Sequence, residues 1–119
     1  MITLTKDVAE AQVELFSSII WNPDDLIEVR ILPKRQQIYC KASELTSHVD
    51  SLWELNQDGQ NIYVGVNPRI RKGGKTEDVK CFRTFFVDWD GVSLDYVSHA
   101  YEAAGVETPT IIIASGHGY

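Results

Sequence analysis

An apolar run that ends in two aspartates one residue apart, Phe85-Phe86-Val87-Asp88-Trp89-Asp90-Gly91, constrains this chain more than any other stretch. Side chains alternate along a strand, so Asp88 and Asp90 are expected to project from one face, roughly 6–7 Å apart, with Val87 and Trp89 on the other. Two carboxylates at the end of a buried strand repel each other and are costly to desolvate unless a cation neutralises them. Mg²⁺ suits such a pair, because it takes a few protein carboxylates and completes its shell with water and substrate phosphates. Without a cation the run is a strand that ends in a solvated acidic turn.

The residues that follow extend the pattern. Ser93 is placed to cap a helix with Leu94, Val97, Tyr101 and Ala104 along one face and Gly105 just past its end. After Pro109, Thr110-Ile111-Ile112-Ile113-Ala114 is a continuous apolar run of the kind found in sheets covered on both faces. The stretch from Phe82 to Ala114 has the length of a right-handed βαβ crossover, which predicts parallel strands at 82–90 and 110–114. Their C-terminal ends would bring Asp88 and Asp90 beside Ser115, Gly116, His117 and Gly118, where open α/β sheets place ligands.

The first half reads as a leading α/β unit. Asp7 is placed to cap a helix whose apolar face is Ala9, Val13, Phe16 and Ile20, stopped by Asn22-Pro23-Asp24-Asp25. Leu26 to Leu32 alternates as a strand, Ile27, Val29 and Ile31 against Glu28 and Arg30, with 37–41 as a short pairing partner. Ser43 starts a second helix along Leu45, Val49 and Leu52, Asp58-Gly59 turns out of it, and Asn61 to Val66 is a further strand. Fold class is therefore α/β (α+β), a single domain over residues 1–119 with no internal repeat.

With 119 residues, 44% hydrophobic and 24% charged, the composition excludes collagen-like, coiled-coil and disordered chains. Cys40 and Cys81 lack the spacing of a zinc site or a disulfide framework. Asp7, Glu10 and Glu14 interrupt the region where a signal peptide needs its apolar core, so a cytoplasmic protein with no membrane segment is expected.

A net charge of −6 argues against nonspecific duplex binding, but the charge is unevenly placed. Ten of the eleven Lys and Arg residues lie between Arg30 and Arg83, and none follows Arg83. Arg69, Arg71, Lys72 and Lys75 form the tightest cluster, in a Gly-rich loop over 67–78, and are the candidates for nucleic-acid or phosphate contact. Gly73-Gly74-Lys75-Thr76 is not a P-loop, since Arg69 stands where the motif needs its first glycine. Trp53, Tyr63, Trp89 and Tyr96 could in principle stack on bases, although aromatics at such periodic positions are more often core, and His48 and His99 have no ligand partner at useful spacing.

Two motifs resemble the archaeo-eukaryotic primase superfamily, in particular the small primase-polymerases of plasmids, phages and CRISPR-associated loci. One is the apolar strand ending in Asp88-Trp89-Asp90; the other is the Pro109-Thr110 strand leading to Ser115-Gly116-His117-Gly118-Tyr119. The resemblance covers roughly residues 61–119 and implies a primase-polymerase N-terminal unit leading into an RRM-like βαβ unit. It implies that Asp88 and Asp90 bind Mg²⁺ or Mn²⁺ as catalytic residues, and that Ser115, Gly116, His117 and Gly118 contact the phosphates of a dNTP or NTP on a single-stranded DNA template. The turn reads either as small-x-His, using His117, or as Ser-Gly-x-Gly-Tyr-His, which puts the histidine after Tyr119. The family's third, acidic motif is not in this sequence, so a piece of the catalytic domain is expected.

Two rival readings use the same residues. A haloacid-dehalogenase-like phosphatase also has a strand ending Asp-x-Asp-Gly; Asp88 would be its nucleophile, Asp90 its acid and base, and Ser115 a phosphate ligand. That family places this motif near the start of its fold, whereas some eighty residues precede Asp88 here. A non-catalytic nucleic-acid-binding module would use the 69–75 loop alone, and would gain nothing from two carboxylates beside it.

Overall fold

The computed structural model describes residues 4–114, and the chain divides after Thr84 into two compact units. The described residues form a mixed α+β structure with three α-helices and one three-stranded antiparallel sheet. Among them, no helix is long and apolar enough to cross a membrane.

The first unit opens with helix α1, Lys6–Ile20. Its cap is Thr5, whose hydroxyl accepts the Val8 N–H at 3.3 Å, so Asp7 lies inside the first turn instead of capping it. A carboxylate there still complements the helix dipole. The strands are β1, Leu26–Leu32; β2, Gln36–Lys41; and β3, Asn61–Val64, in the order β2-β1-β3. Register pairs Glu28 with Tyr39 and Arg30 with both Gln37 and Tyr63. Ile27, Val29 and Ile31 therefore share one face, and each is 0% exposed.

That face is closed by α1 and by the segment after β2. Ser43 does not start a helix by side-chain capping: a 3₁₀ stretch, Ala42–His48, runs into helix α2, Val49–Gln57. Backbone bonds from Ala42 N–H to Asp25 O and from Ser43 N–H to Pro23 O hold the start of this stretch in place of a cap. Trp21, Cys40, Ala42, Leu45 and Leu52 complete the core, with Val13, Phe16 and Ile20 packed on it from α1. Trp21 meets the Phe16 ring edge-on at 5.3 Å and donates its Nε1–H to Val66 O at 2.9 Å. Gly59, at φ +89, makes the turn from α2 into β3.

In the second unit, helix α3, Leu94–Ala104, is capped by Ser93, which accepts the Tyr96 N–H, and ends at Gly105 in the left-handed region. The expected parallel strands at 82–90 and 110–114 are not formed among the described residues; neither run carries a strand, although Asp90 is a bridge residue. The physical reason is cover. An apolar run becomes a central strand when both of its faces are buried, and here Phe85 is 90% exposed, with Phe82, Phe86, Val87, Ile112 and Ile113 also exposed. The βαβ expectation is corrected accordingly. Of the four residues expected on the buried face of α3, only Val97 is buried; Tyr101 is half-buried, and Leu94 and Ala104 are exposed.

The first unit's stability should rest on the Ile27/Val29/Ile31 face. Ile31→Ala is expected to cost about 2–5 kcal/mol in urea unfolding, against within about 0.5 kcal/mol for Leu15→Ala on the exposed side of α1.

Candidate functional site

The polar face of the sheet is not a solvated surface. Glu28 projects from the middle of β1, away from the core, and its side chain is only 3% exposed. A carboxylate buried this far needs charge and hydrogen bonds around it. Arg30 Nη2 donates to Oε1 at 2.7 Å, Tyr39 Oη to Oε2 at 2.9 Å and Gln37 Nε2 to Oε2 at 3.3 Å. Arg69 Nη2 lies 3.6 Å from Oε1. Burial, with the Glu28 carboxylate beside it, pushes the Tyr39 phenol up from its ordinary range.

Arg69 arrives from the segment that follows β3. Its N–H donates to Leu26 O at 2.8 Å, which docks residue 69 along β1 beyond the end of β3. Its guanidinium lies over Gly65, where an added Cβ would sit 3.1 Å from Nη2. The chain then loops out and returns, with Arg69 bridged to Val79 in antiparallel fashion and Lys80 N–H donating to Pro68 O. Within the loop, a Cβ on Gly74 would lie within about 3 Å of Gln37, Arg30 and Glu28, and one on Gly73 would fall 2.1 Å from Asp78 Oδ2. These glycines bring backbone into contact with the polar cluster; they do not cradle a phosphate as a P-loop does.

The four basic candidates therefore have different surroundings. Arg69 is 11% exposed and held by Glu28 and by Lys75 O. Arg71 donates to Asp78 Oδ1 at 2.7 Å and holds that carboxyl below its ordinary range, with the Lys75 N–H as a second donor. Lys72 and Lys75 present exposed side chains. Glu28, Arg30, Leu32, Tyr63, Val64, Gly65 and Arg69 line a cleft of about 330 Å³. The sequence pattern puts Glu28 and Arg30 on the strand's other face, leaves Tyr63 between core and base stacking, and names Arg69 for phosphate contact, but does not bring these residues together.

Two side-chain clamps fix the end of the unit. Asn67 Oδ1 accepts the N–H groups of Arg83 and Thr84 at 2.9 and 3.0 Å, and its Nδ2 donates to Thr84 O. Both terminal nitrogens of Arg83 donate to the buried Asp25 carboxylate, which also accepts the Asn22 N–H at 2.8 Å. The Arg83 guanidinium is the main cause that holds Asp25 below its ordinary value of 3.8.

Asp88 and Asp90 belong to the second unit, and both are exposed. Trp89 between them is half-buried against α3, with its ring edge-on to Tyr96 at 5.9 Å and Tyr101 at 6.4 Å and Nε1–H donating to Tyr101 Oη at 3.3 Å. No Lys or Arg follows Arg83 in the sequence, so the second unit supplies no lysine or arginine to this pair. Among the described residues, no three His, Cys, Asp or Glu side chains gather to hold a metal. Asp88 and Asp90 are two carboxylate donors, a number compatible with an ion that keeps most of its waters. His99 is engaged by its own helix, Nδ1 lying 2.7 Å from Asp95 O. Ser115, Gly116, His117 and Gly118 lie outside the described residues.

No family model matches the chain, and comparison with curated proteins and with solved structures returns no significant match.

Because Asp25 is held below 3.8 in the folded chain, its contribution to stability is complete above that value and is lost as pH falls through the lower folded value. Asp25→Asn should therefore be less stable than the parent at pH 7, and the gap should narrow steadily below about pH 4 in urea titrations taken across that range.

Proposed function

We propose that this chain carries the carboxylate half of a site for template-directed nucleotidyl transfer, as in the primase-polymerases its two motifs resemble. The observation that best supports this reading is the alternation at 88–90. Trp89 is anchored on α3 by two aromatic contacts and a hydrogen bond, while Asp88 and Asp90 stay exposed. Anchoring the residue between two carboxylates limits their freedom without burying them, so they remain available to a hydrated cation and its substrate.

In this reading Asp88 and Asp90 would hold Mg²⁺ or Mn²⁺ through their oxygens. Bound there, the ions supply Lewis-acid stabilisation of charge on the reacting phosphoryl group and the pyrophosphate. The reaction joins a primer 3′-oxygen to the α-phosphorus of a dNTP or NTP, breaks the bond to pyrophosphate, and releases the hydroxyl proton to solvent. The chain's own residues position: the two carboxylates would fix the substrate through the ion they hold, and in the first unit the exposed Lys72 and Lys75 are the candidates for phosphate contact with a single-stranded template.

Mn²⁺ titration monitored by water-proton relaxation, with and without dATP, tests this. The parent chain should bind Mn²⁺ more tightly when dATP is present, and Asp88→Asn with Asp90→Asn should weaken that binding by ~10-fold or more, since metal affinity follows ligand charge. Equal binding by parent and variant would contradict the assignment.

A further inference from the structure

The Glu28 cluster holds more positive charge than its buried carboxylate requires. One guanidinium neutralises Glu28, and Arg30 does so at 2.7 Å. Arg69 adds a second, 89% buried by its side-chain exposure of 11%, so the group of three carries a net charge of +1. The other carboxylate in this region, Asp78, is already taken by Arg71 and the Lys75 N–H. The Nε atoms of both Arg30 and Arg69 are buried without a hydrogen-bond partner among the described residues. Arg30 keeps a 41% exposed side chain open to the cleft, and the Arg69 guanidinium is mostly withdrawn from water, a state that a further anion stabilises.

The rest of the cleft shows what kind of anion fits. Arg30 and Tyr63 are register partners across β1 and β3, so their side chains stand side by side on the same sheet face. Tyr63 is 52% exposed, and Leu32 and Val64 add apolar lining. A guanidinium fork matches phosphate oxygens, and an exposed tyrosine ring offers a stacking surface to a planar base. A volume of about 330 Å³ is at the low end of small-molecule sites, about 300–1,000 Å³, and too small for a duplex.

We propose that the cleft lined by Arg30, Tyr63 and Arg69 binds one nucleotide unit, its phosphate on the guanidinium groups and its base on Tyr63. The unit is either a free nucleotide or one residue of a single strand. The inference stands on the first unit alone and uses neither Asp88 nor Asp90.

Two probes separate the sources: dATP by calorimetry, and a fluorescein-labelled eight-residue oligo(dT) by anisotropy. Both are used with the whole chain, and with EDTA throughout so that no divalent ion bridges phosphate to the Asp88/Asp90 pair. At least one probe should bind, with affinity falling as salt rises. Tyr63→Ala and Arg69→Gln should each weaken binding by about tenfold. Tyr63 is exposed, so its variant remains informative even if Arg69→Gln loosens the loop. Binding of dATP alone assigns the site to a free nucleotide, and binding of oligo(dT) alone assigns it to a strand. No binding of either probe at millimolar protein, or binding unchanged in Tyr63→Ala, overturns the proposal without touching the metal site.

Discussion

A carboxylate that water barely reaches organises the first unit. Glu28 sits in the central strand of the sheet, and leaving it charged and unpartnered there would cost several kcal/mol. Its neighbours from β1 and β2 supply three donors: Arg30, Gln37 and Tyr39. The fourth contact, Arg69, comes from forty-one residues further along the chain and brings the 69–80 segment down onto the sheet. Glycines at 65, 73 and 74 are what allow this approach, since a side chain at 65 or 74 would press on the polar cluster and one at 73 would strike Asp78. One face of the sheet is thus held by apolar burial and the other by charge.

This arrangement leaves the two units with complementary shortages. The first has a surplus guanidinium over its buried carboxylate, and the second has two exposed carboxylates and no Lys or Arg of its own. The two proposals are therefore separate: nucleotidyl transfer rests on the Asp88/Asp90 alternation of the second unit, and the nucleotide cleft rests on the guanidinium groups of the first. The clamps at the end of the first unit, Asn67 on 83–84 and Asp25 on Arg83, fix the backbone just ahead of the apolar run that leads to Asp88.

Local pattern was enough to read the elements whose stabilising contacts are local or periodic. Alternation over Leu26 to Leu32 placed Ile27, Val29 and Ile31 in the core, and Ser93 with Gly105 bounded α3 as observed. The cap of α1 was misplaced by two residues because Thr5 and Asp7 both offer an oxygen to a helix start, and only the Val8 contact distinguishes them. The strands expected at 82–90 and 110–114 failed for a different reason: apolar composition calls for a covered sheet, and the described residues provide no cover. The polar cleft was illegible because a strand's outward face looks solvated in sequence, whereas here it is roofed by a distant loop. Its visible traces were Arg69 in the basic cluster and the doubled glycine at 73–74.

Amide hydrogen exchange, compared between the parent chain and Glu28→Gln, tests most directly whether this buried charge holds the segment over the sheet. The Arg69, Ile70 and Lys80 amides, which donate to Leu26 O, Asp78 O and Pro68 O, report the segment, and the Val29 and Ile31 amides report the sheet. Protection at 69, 70 and 80 is expected to drop by about tenfold or more while the sheet amides keep theirs, since local opening is governed by local contacts. Unchanged protection across 69–80 in Glu28→Gln would contradict it.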